Sequence, residues 1–366
     1  MEARDTAWQP PFCPNPECRF HGSGGAGPWR FKRAGTFRRQ AAPRLIRRFR
    51  CLHCGRSFST QTFSVTYWMK RPGILPEVMR QTTSCAAHRQ IAHNLGVAPD
   101  TIDRAVGRLG RHCLLTHLEL WGRRPPCGPV VIDGLETFEW SQFFPFHANV
   151  AVEVTSGFFS YFTDSELRRR GRMTDWQRRR RAELESQLGR PDPGATVRGI
   201  TELLAIVLDG AEHAVIRSDD HPAYRGPIRR SPCEIRHEVT SSRRRRDGTN
   251  ALVEVNLLDL WIRHGSANHK RETIAWSKRR QRAMERLAIV LVDRNYLRSR
   301  RKKKGGPTPG MLRGVVDRKL TVEEVLSHRR FPGRFHLPAP WDRYYRSAVE
   351  TQALPVNRRH ALKYAF

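Results

Sequence analysis

No stretch of this sequence reaches the roughly 18 consecutive apolar residues that a membrane-spanning helix needs, so an integral membrane protein is not expected. The opening residues, MEARDTAWQPPF, hold no apolar signal-peptide core, so export is not expected either. Acidic residues are scarce. Only 35 Asp and Glu stand against 66 Lys and Arg, which leaves a net charge of +31. Such a surface repels cationic partners and attracts polyanions, nucleic acid before an acidic membrane. A GC-rich genome inflates arginine use, but it does not explain the shortage of acids. Cysteine is sparse, 8 in 366 residues. A chain of this length without a secretion signal is not expected to rest on disulfides, and a reducing cytoplasm is the expected compartment. No internal repeat is present.

Four of the cysteines are not scattered. Cys13 and Cys18 form a CxxxxC pair, Cys51 and Cys54 a CxxC pair followed by Gly55, with 32 residues between the pairs. Tetrahedral Zn²⁺ needs four soft ligands, and two such knuckles supply them. The intervening Trp29–Phe37 and Leu45–Phe49 alternate like ribbon strands. A unit this small and polar lacks the core to fold without a staple, which argues against four merely buried thiols. His21 and His53 are substitute ligands of second rank. Residues 1–70 are therefore expected to form a zinc ribbon.

Residues 71–122 are expected to be helical. In Ser84–Leu109, Ala87, Ile91 and Leu95 share one helical face, Gly96 permits a sharp turn, and Pro99 opens a second helix. Helix, short glycine turn, helix is the helix-turn-helix pattern. The second helix, about Pro99–Leu109, would enter a major groove with Asp100, Thr101, Asp103 and Arg104 near base edges. An ordinary helical hairpin is the bland alternative.

After the linker Arg123–Pro129, residues 123–300 change to a strand pattern. The run Val130-Val131-Ile132 ends on Asp133, a carboxylate that is costly to bury without compensation. Asn149–Val154 and Phe158–Phe162 flank a Thr155-Ser156-Gly157 hairpin turn. An Arg-rich solvated helix is expected in 164–190 and an apolar helix at Ala195–Leu208. A strand at Val215–Arg217 ends at Asp219-Asp220, and Glu234–Val239 is a further candidate strand. Arg243, Arg244, Arg245 and Arg246 form a basic loop. Asn250–Tyr296 reads as helical with a break at Gly265. Arg298–Lys304 is six-sevenths basic, and 301–366 is expected to be a basic C-terminal tail.

The order strand with Asp133, two hairpin strands, apolar helix, strand with Asp219, then helices resembles the ribonuclease-H-like core. That core sets its first and fourth strands side by side. The whole chain, zinc ribbon, helix-turn-helix and then Asp…Asp…Glu, resembles bacterial insertion-sequence transposases of the DDE type. The most specific local matches are Ser218-Asp219-Asp220-His221-Pro222-Ala223-Tyr224 and the Asn268–Lys278 stretch NHKRETIAWSK. The resemblance implies a multidomain α/β protein, nucleoid-associated in a bacterial cytoplasm, acting as a homo-oligomer on duplex DNA. It implies binding of terminal inverted repeats, metal-dependent cleavage and strand transfer into target DNA. Asp133 and Asp219 would hold Mg²⁺ or Mn²⁺, a hard cation suited to carboxylates.

The third acid stays open. Glu254 lies 34 residues beyond Asp219, as is common among relatives. Glu272 belongs to the distinctive basic stretch, and Asp259 follows Glu254 on the same helix. On one straight helix Glu254 and Glu272 would be ~27 Å apart and unable to share a site. Asp220 competes with Asp219, and Glu136 is a helper candidate. His221, His237 and His269 are candidates for orienting phosphate or water. Two other functions compete: a zinc-ribbon and helix-turn-helix transcriptional regulator with an inactive core, and a structure-specific nuclease without strand transfer. A regulator has no use for acids after apolar strands.

Overall fold

The computed structural model describes residues 8–21, 27–270, 273–301 and 305–357. The chain is mixed α/β with two sheets. The first sheet is small and antiparallel: β1 (Phe31–Arg38), β2 (Leu45–Cys51) and β3 (Ser57–Ser59). Its core holds Phe49, Phe58 and Phe63 together with Cys13, Cys18 and Cys51. Phe331 joins them from almost three hundred residues away.

Three helices follow, α1 (Leu75–Thr82), α2 (His88–Asn94) and α3 (Pro99–Trp121). The turn between α2 and α3 uses Gly96 at φ +57°, as a left-handed turn requires. The second helix of the pair does not stop near Leu109. Apolar positions Cys113, Leu114, Leu115, Leu118 and Trp121 extend its buried face, and Gly122 at φ +62° closes it.

The second sheet has the order β6-β5-β4-β7-β8. Strands β4 (Val130–Phe138), β5 (Pro145–Glu153) and β6 (Phe159–Glu166) form an antiparallel meander, with Gly157 at φ +66° in the second turn. The helices α4 (Asp175–Leu188) and α5 (Ala195–Val207) lead to β7 (His213–Asp219), parallel to β4. Helix α6 (Arg225–Arg229) then leads to β8 (Glu234–Thr240), parallel to β7. No residue of α4 is buried, whereas α5 buries Ile200, Leu203, Leu204 and Val207. Each such side chain removed from water contributes about 1.5–3 kcal/mol.

The expected long helical region is two helices. Helix α7 (Val253–Gly265) ends at the anticipated break, and α8 (Arg280–Val292) runs on into a wide helical turn at Asp293–Leu297. Twelve of the thirteen α8 residues are buried, so α8 is the central helix on which the others pack. Its partner α3 comes very close: a Cβ at Gly110 would lie 2.6 Å from Glu285 Cβ.

The segment expected as a basic tail instead folds back. Beyond the short helices α9 (Pro309–Leu312) and α10 (Val322–Ser327), α11 (Ala339–Tyr345) buries Trp341, Tyr344 and Tyr345 completely. Aromatic area outweighs the basic composition there. One apolar core gathers residues from Val65 to Val349, on both sides of positions 122 and 300. Among the described residues, no helix is long and apolar enough to cross a membrane.

Candidate active site and metal centre

The cysteines converge first. The ligand atoms of Cys13, Cys18, Cys51 and Cys54 all lie within 4.8 Å of one another, and the Cys13 and Cys54 sulfurs are 3.6 Å apart. Tetrahedral Zn²⁺ with Zn–S near 2.3 Å needs sulfurs about 3.8 Å apart, so the donor set fits. Burial alone would push the Cys51 thiol up. The Trp29 indole N–H (3.3 Å) and the backbone amides of Cys54 and His53 outweigh it, and the thiol sits at about 7. Such donors stabilise a thiolate. The histidines are used otherwise. His21 Nδ1 meets the Cys13 carbonyl at 2.8 Å, and its ring packs on Phe12 and Phe331. The His53 ring packs edge-on against Phe20.

The acids come from the second sheet. Asp133 is not the end of its strand: β4 continues to Phe138, because all nine of its residues pair with β5. Between β4 and β7 the pairs are Val130 with Ile216 and Val131 with Arg217. The same offset, two residues further on, sets Asp133 beside Asp219, on strands ~4.8 Å apart. Asp133 Oδ1 accepts the Gly134 N–H at 2.7 Å, and Asp219 Oδ1 accepts the His221 N–H at 3.0 Å. Burial pushes the Asp133 carboxyl up and Asp219 adds to the push, while Gly134, Arg246 and the Tyr224 hydroxyl oppose it. Asp220 turns elsewhere. It is exposed, and the Ser242 side chain holds its carboxyl below the usual range.

Tyr224 is the residue that sequence reasoning passed over. It stands in the short turn Pro222–Tyr224 after β7, buried, with its hydroxyl near the Asp133 carboxylate. Burial, then Asp133 and Asp219, then Asp259, all push its hydroxyl well above the ordinary phenol value. Three carboxylates thus surround one phenol. The three are not drawn into a single tight ligand set; among the described residues only the four cysteines are that close. A second missed residue is His147. Its Nδ1 lies 2.7 Å from where a Gly134 Cβ would stand, so position 134 has no room for a side chain. Burial, with His221 nearby, pushes His147 down to about 4.

The remaining sequence candidates divide. Glu254 lies in the first turn of α7, 2.6 Å from Arg300 Nη2, beside the hairpin turn at Gly157. That turn is at the Val130 end of β4, since Val130 pairs with Glu153. At the other end of α7, Arg263 donates to the Glu136 carbonyl at 3.2 Å. The helix therefore runs alongside β4, and Asp259, ~7.5 Å along it from Glu254, comes level with Asp133. Here Glu254 is the ion-pair partner of Arg300. Glu272 lies outside the described residues. The Glu136 side chain is exposed and on the opposite face of the strand from Asp133. His269 is fully buried, and burial pushes it down to about 3; His237 bonds Ser218 at 2.8 Å inside the sheet. Only His221 borders the acids.

Of the basic candidates, Arg243, Arg244, Arg245 and Arg246 are all exposed, and Arg246 reaches the field of Asp133. Arg298 and Arg300 are tied to Asp293 and Glu254 at 2.6 Å each, so the expected phosphate cluster loses both. Lys302, Lys303 and Lys304 lie outside the described residues. On α3, Arg104 and Asp100 are exposed and Thr101 is half-buried. Asp103 is spent on Arg282, at 2.8 Å, rather than held out for bases.

No family model matches the chain, and no curated protein matches it. Among solved structures, one match is a chain of the cryoEM structure of the simian T-cell lymphotropic virus intasome in complex with PP2A regulatory subunit B56 gamma. It is 17% identical, covers 65% of this chain and 72% of that one, and has a TM-score of 0.23. That likeness is distant, and superposition at such a level carries no argument about function.

Proposed function

We propose that the chain is a DDE-type transposase that binds the terminal repeats of a mobile element and catalyses metal-dependent DNA cleavage and strand transfer. One observation carries the reading: Asp133 and Asp219 each lie two residues beyond the last paired positions of neighbouring parallel strands, near enough for Asp219 to act on Asp133, and Asp259 of α7 acts on the same Tyr224 phenol. The strand order, a three-stranded meander followed by two parallel strands on the far edge, supports a ribonuclease-H-like core.

Half-buried carboxylates that repel each other favour a divalent cation; burial first, and then the Asp219 charge, push the Asp133 carboxyl up. Mg²⁺ or Mn²⁺ held by Asp133, Asp219 and Asp259 would activate a water or a 3′-hydroxyl and stabilise the leaving oxygen. The chain's own groups do the positioning. The Tyr224 hydroxyl, beside the Asp133 carboxylate, is placed to orient it. Arg246, on an exposed loop, offsets acid charge that would otherwise repel DNA. The cysteine ribbon and the α2–α3 turn present cationic surface to duplex DNA, and the active species is a homo-oligomer assembled on element ends.

The test is a cleavage assay with Mg²⁺ on labelled duplex taken from the DNA flanking the gene. Asp133→Asn and Asp219→Asn should each cut at least ~100-fold more slowly, about 2.7 kcal/mol in the barrier, while still binding the duplex. Cutting by either variant at the wild-type rate rejects the reading.

A further inference from the structure

Beside the α2–α3 turn an open cleft of about 950 Å³ lies far from the acids. One wall is α2 and the first turn of α3. The other is the irregular segment before α8. Arg89, Lys270, Lys278, Arg279, Arg282 and Arg286 line it, against two acids, Asp100 and Asp103. Arg282 is committed to Asp103, and Arg279 donates to the Pro355 carbonyl at 2.7 Å. Among the described residues, Arg89, Lys270 and Lys278 enter no ion pair, and Lys278 rests on the Trp276 ring at 4.1 Å.

Arg286 is the telling member. It is only 3% exposed, yet its hydrogen bonds go to neutral groups, the Asn268 amide oxygen at 3.1 Å and the Ala86 carbonyl at 3.0 Å. Its Nε has no acceptor. A guanidinium placed this deep is expensive unless negative charge is near. The one acid that favours its charge, Asp103, is already paired with Arg282. The amino end of α3, which has no side-chain cap, opens on the same cleft.

We propose that this cleft seats the sugar-phosphate backbone of duplex DNA, as a second contact separate from the acids. The wall is braced for it. Trp276 Nε1 donates to the Trp140 carbonyl at 3.0 Å, and the Trp140 N–H donates to the Ser277 carbonyl at 3.1 Å. Both bonds hang the wall on the end of β4, beside Phe138, whose ring meets Trp276 at 5.9 Å. Phe138 lies five residues beyond Asp133, ~16 Å along the strand. A duplex in the cleft is therefore gripped about five base pairs away from the acids, at ~3.4 Å per base pair. This deepens the transposase reading and rests on it for the choice of DNA as partner.

The experiment measures binding of fluorescein-labelled random-sequence duplex to the full chain over a range of KCl concentrations. The triple variant Arg89→Ala, Lys270→Ala, Lys278→Ala should lower the log–log salt slope by ~2.7, ~0.9 for each lost phosphate contact. The charge-keeping triple Arg89→Lys, Lys270→Arg, Lys278→Arg should keep the slope, which separates lost contacts from lost folding. An unchanged slope in the alanine variant overturns the proposal. So does a polyglutamate competitor that displaces the duplex at equal charge, since the cleft would then serve acidic peptide. The transposase reading fails separately: a chain that never cuts, yet loses slope in the alanine variant, keeps the cleft and rejects the enzyme.

Discussion

The small sheet and the large one are held together differently. Seven residues form the buried core of the ribbon, three cysteines and four phenylalanines. The main core draws apolar side chains from helices α1–α3 and α5–α8, strands β4–β7 and the returning C-terminal segment. A unit with so little to bury is marginal on burial alone, and a metal makes up the difference. The larger unit needs no such staple, and has burial to spare for a feature that costs stability: three acids whose charges all bear on the buried Tyr224. The ribbon's special residues are what fold it, whereas those of the large core are tolerated by a fold already complete.

The sharpest way to break that contrast is to change the acids of α7. Asp259→Asn should slow cleavage at least ~100-fold without weakening DNA binding, while Glu254→Gln should leave the rate nearly intact. Instead Glu254→Gln should cost ~2 kcal/mol of stability, because Arg300 loses its carboxylate in a half-buried setting. Rates and chemical denaturation of both variants decide it. If Glu254→Gln abolishes cutting and Asp259→Asn does not, the assignment along α7 is reversed.

Metal removal should act on the other side of the comparison. Protein purified without chelator should carry about one Zn²⁺ per chain, and Cys54→Ser should unfold the ribbon. Limited proteolysis should then trim residues before about 65 and leave the main core resistant. Loss of the whole fold would show that the two units are not energetically separate.

The most gradual effect is a pH slope confined to the large core. Burial pushes the Asp293 carboxyl up to about 6, against the opposing pull of Arg298. A carboxyl whose folded value exceeds its unfolded value near 3.8 binds a proton more readily when folded. Stability is therefore greatest below pH ~4, falls as pH rises to ~6, and is level above, a change on the order of 2–3 kcal/mol. Urea melts should show this step in the wild type and not in Asp293→Asn. A step that persists in the variant belongs to another group.

The zinc ligands were legible in the sequence because their chemistry is local: two knuckles declare themselves by spacing. The Val130–Ile132 run and the Gly157 turn were legible for the same reason. The full length of β4 was not. Gly134 and Glu136 interrupt the apolar pattern after Asp133, and the strand persists because β5 pairs with all of it. The third acid was illegible in principle, since Glu254 and Asp259 sit on one helix and either suits the spacing. Two distant bonds choose between them, Arg300 at one end of α7 and the Glu136 carbonyl at the other. Tyr224 closes the Ser218–Tyr224 stretch, but no role could be read for it there; a tyrosine after a turn gains its meaning only from what folds around it. The C-terminal aromatics were hidden by a basic composition that read as a tail.

Phe331 sits in the ribbon's core among Phe12, Phe63 and His21, and Arg334 donates to the His21 carbonyl at 3.1 Å. The consequence falls on synthesis. A ribosome reading this message makes the four cysteines within the first 54 residues, but delivers the plug for their aromatic core only at residue 331 of 366. Until then the nascent ribbon has its staple and an open flank. The first module to leave the ribosome is among the last to be finished, and a fragment cut after the ribbon never receives its missing piece.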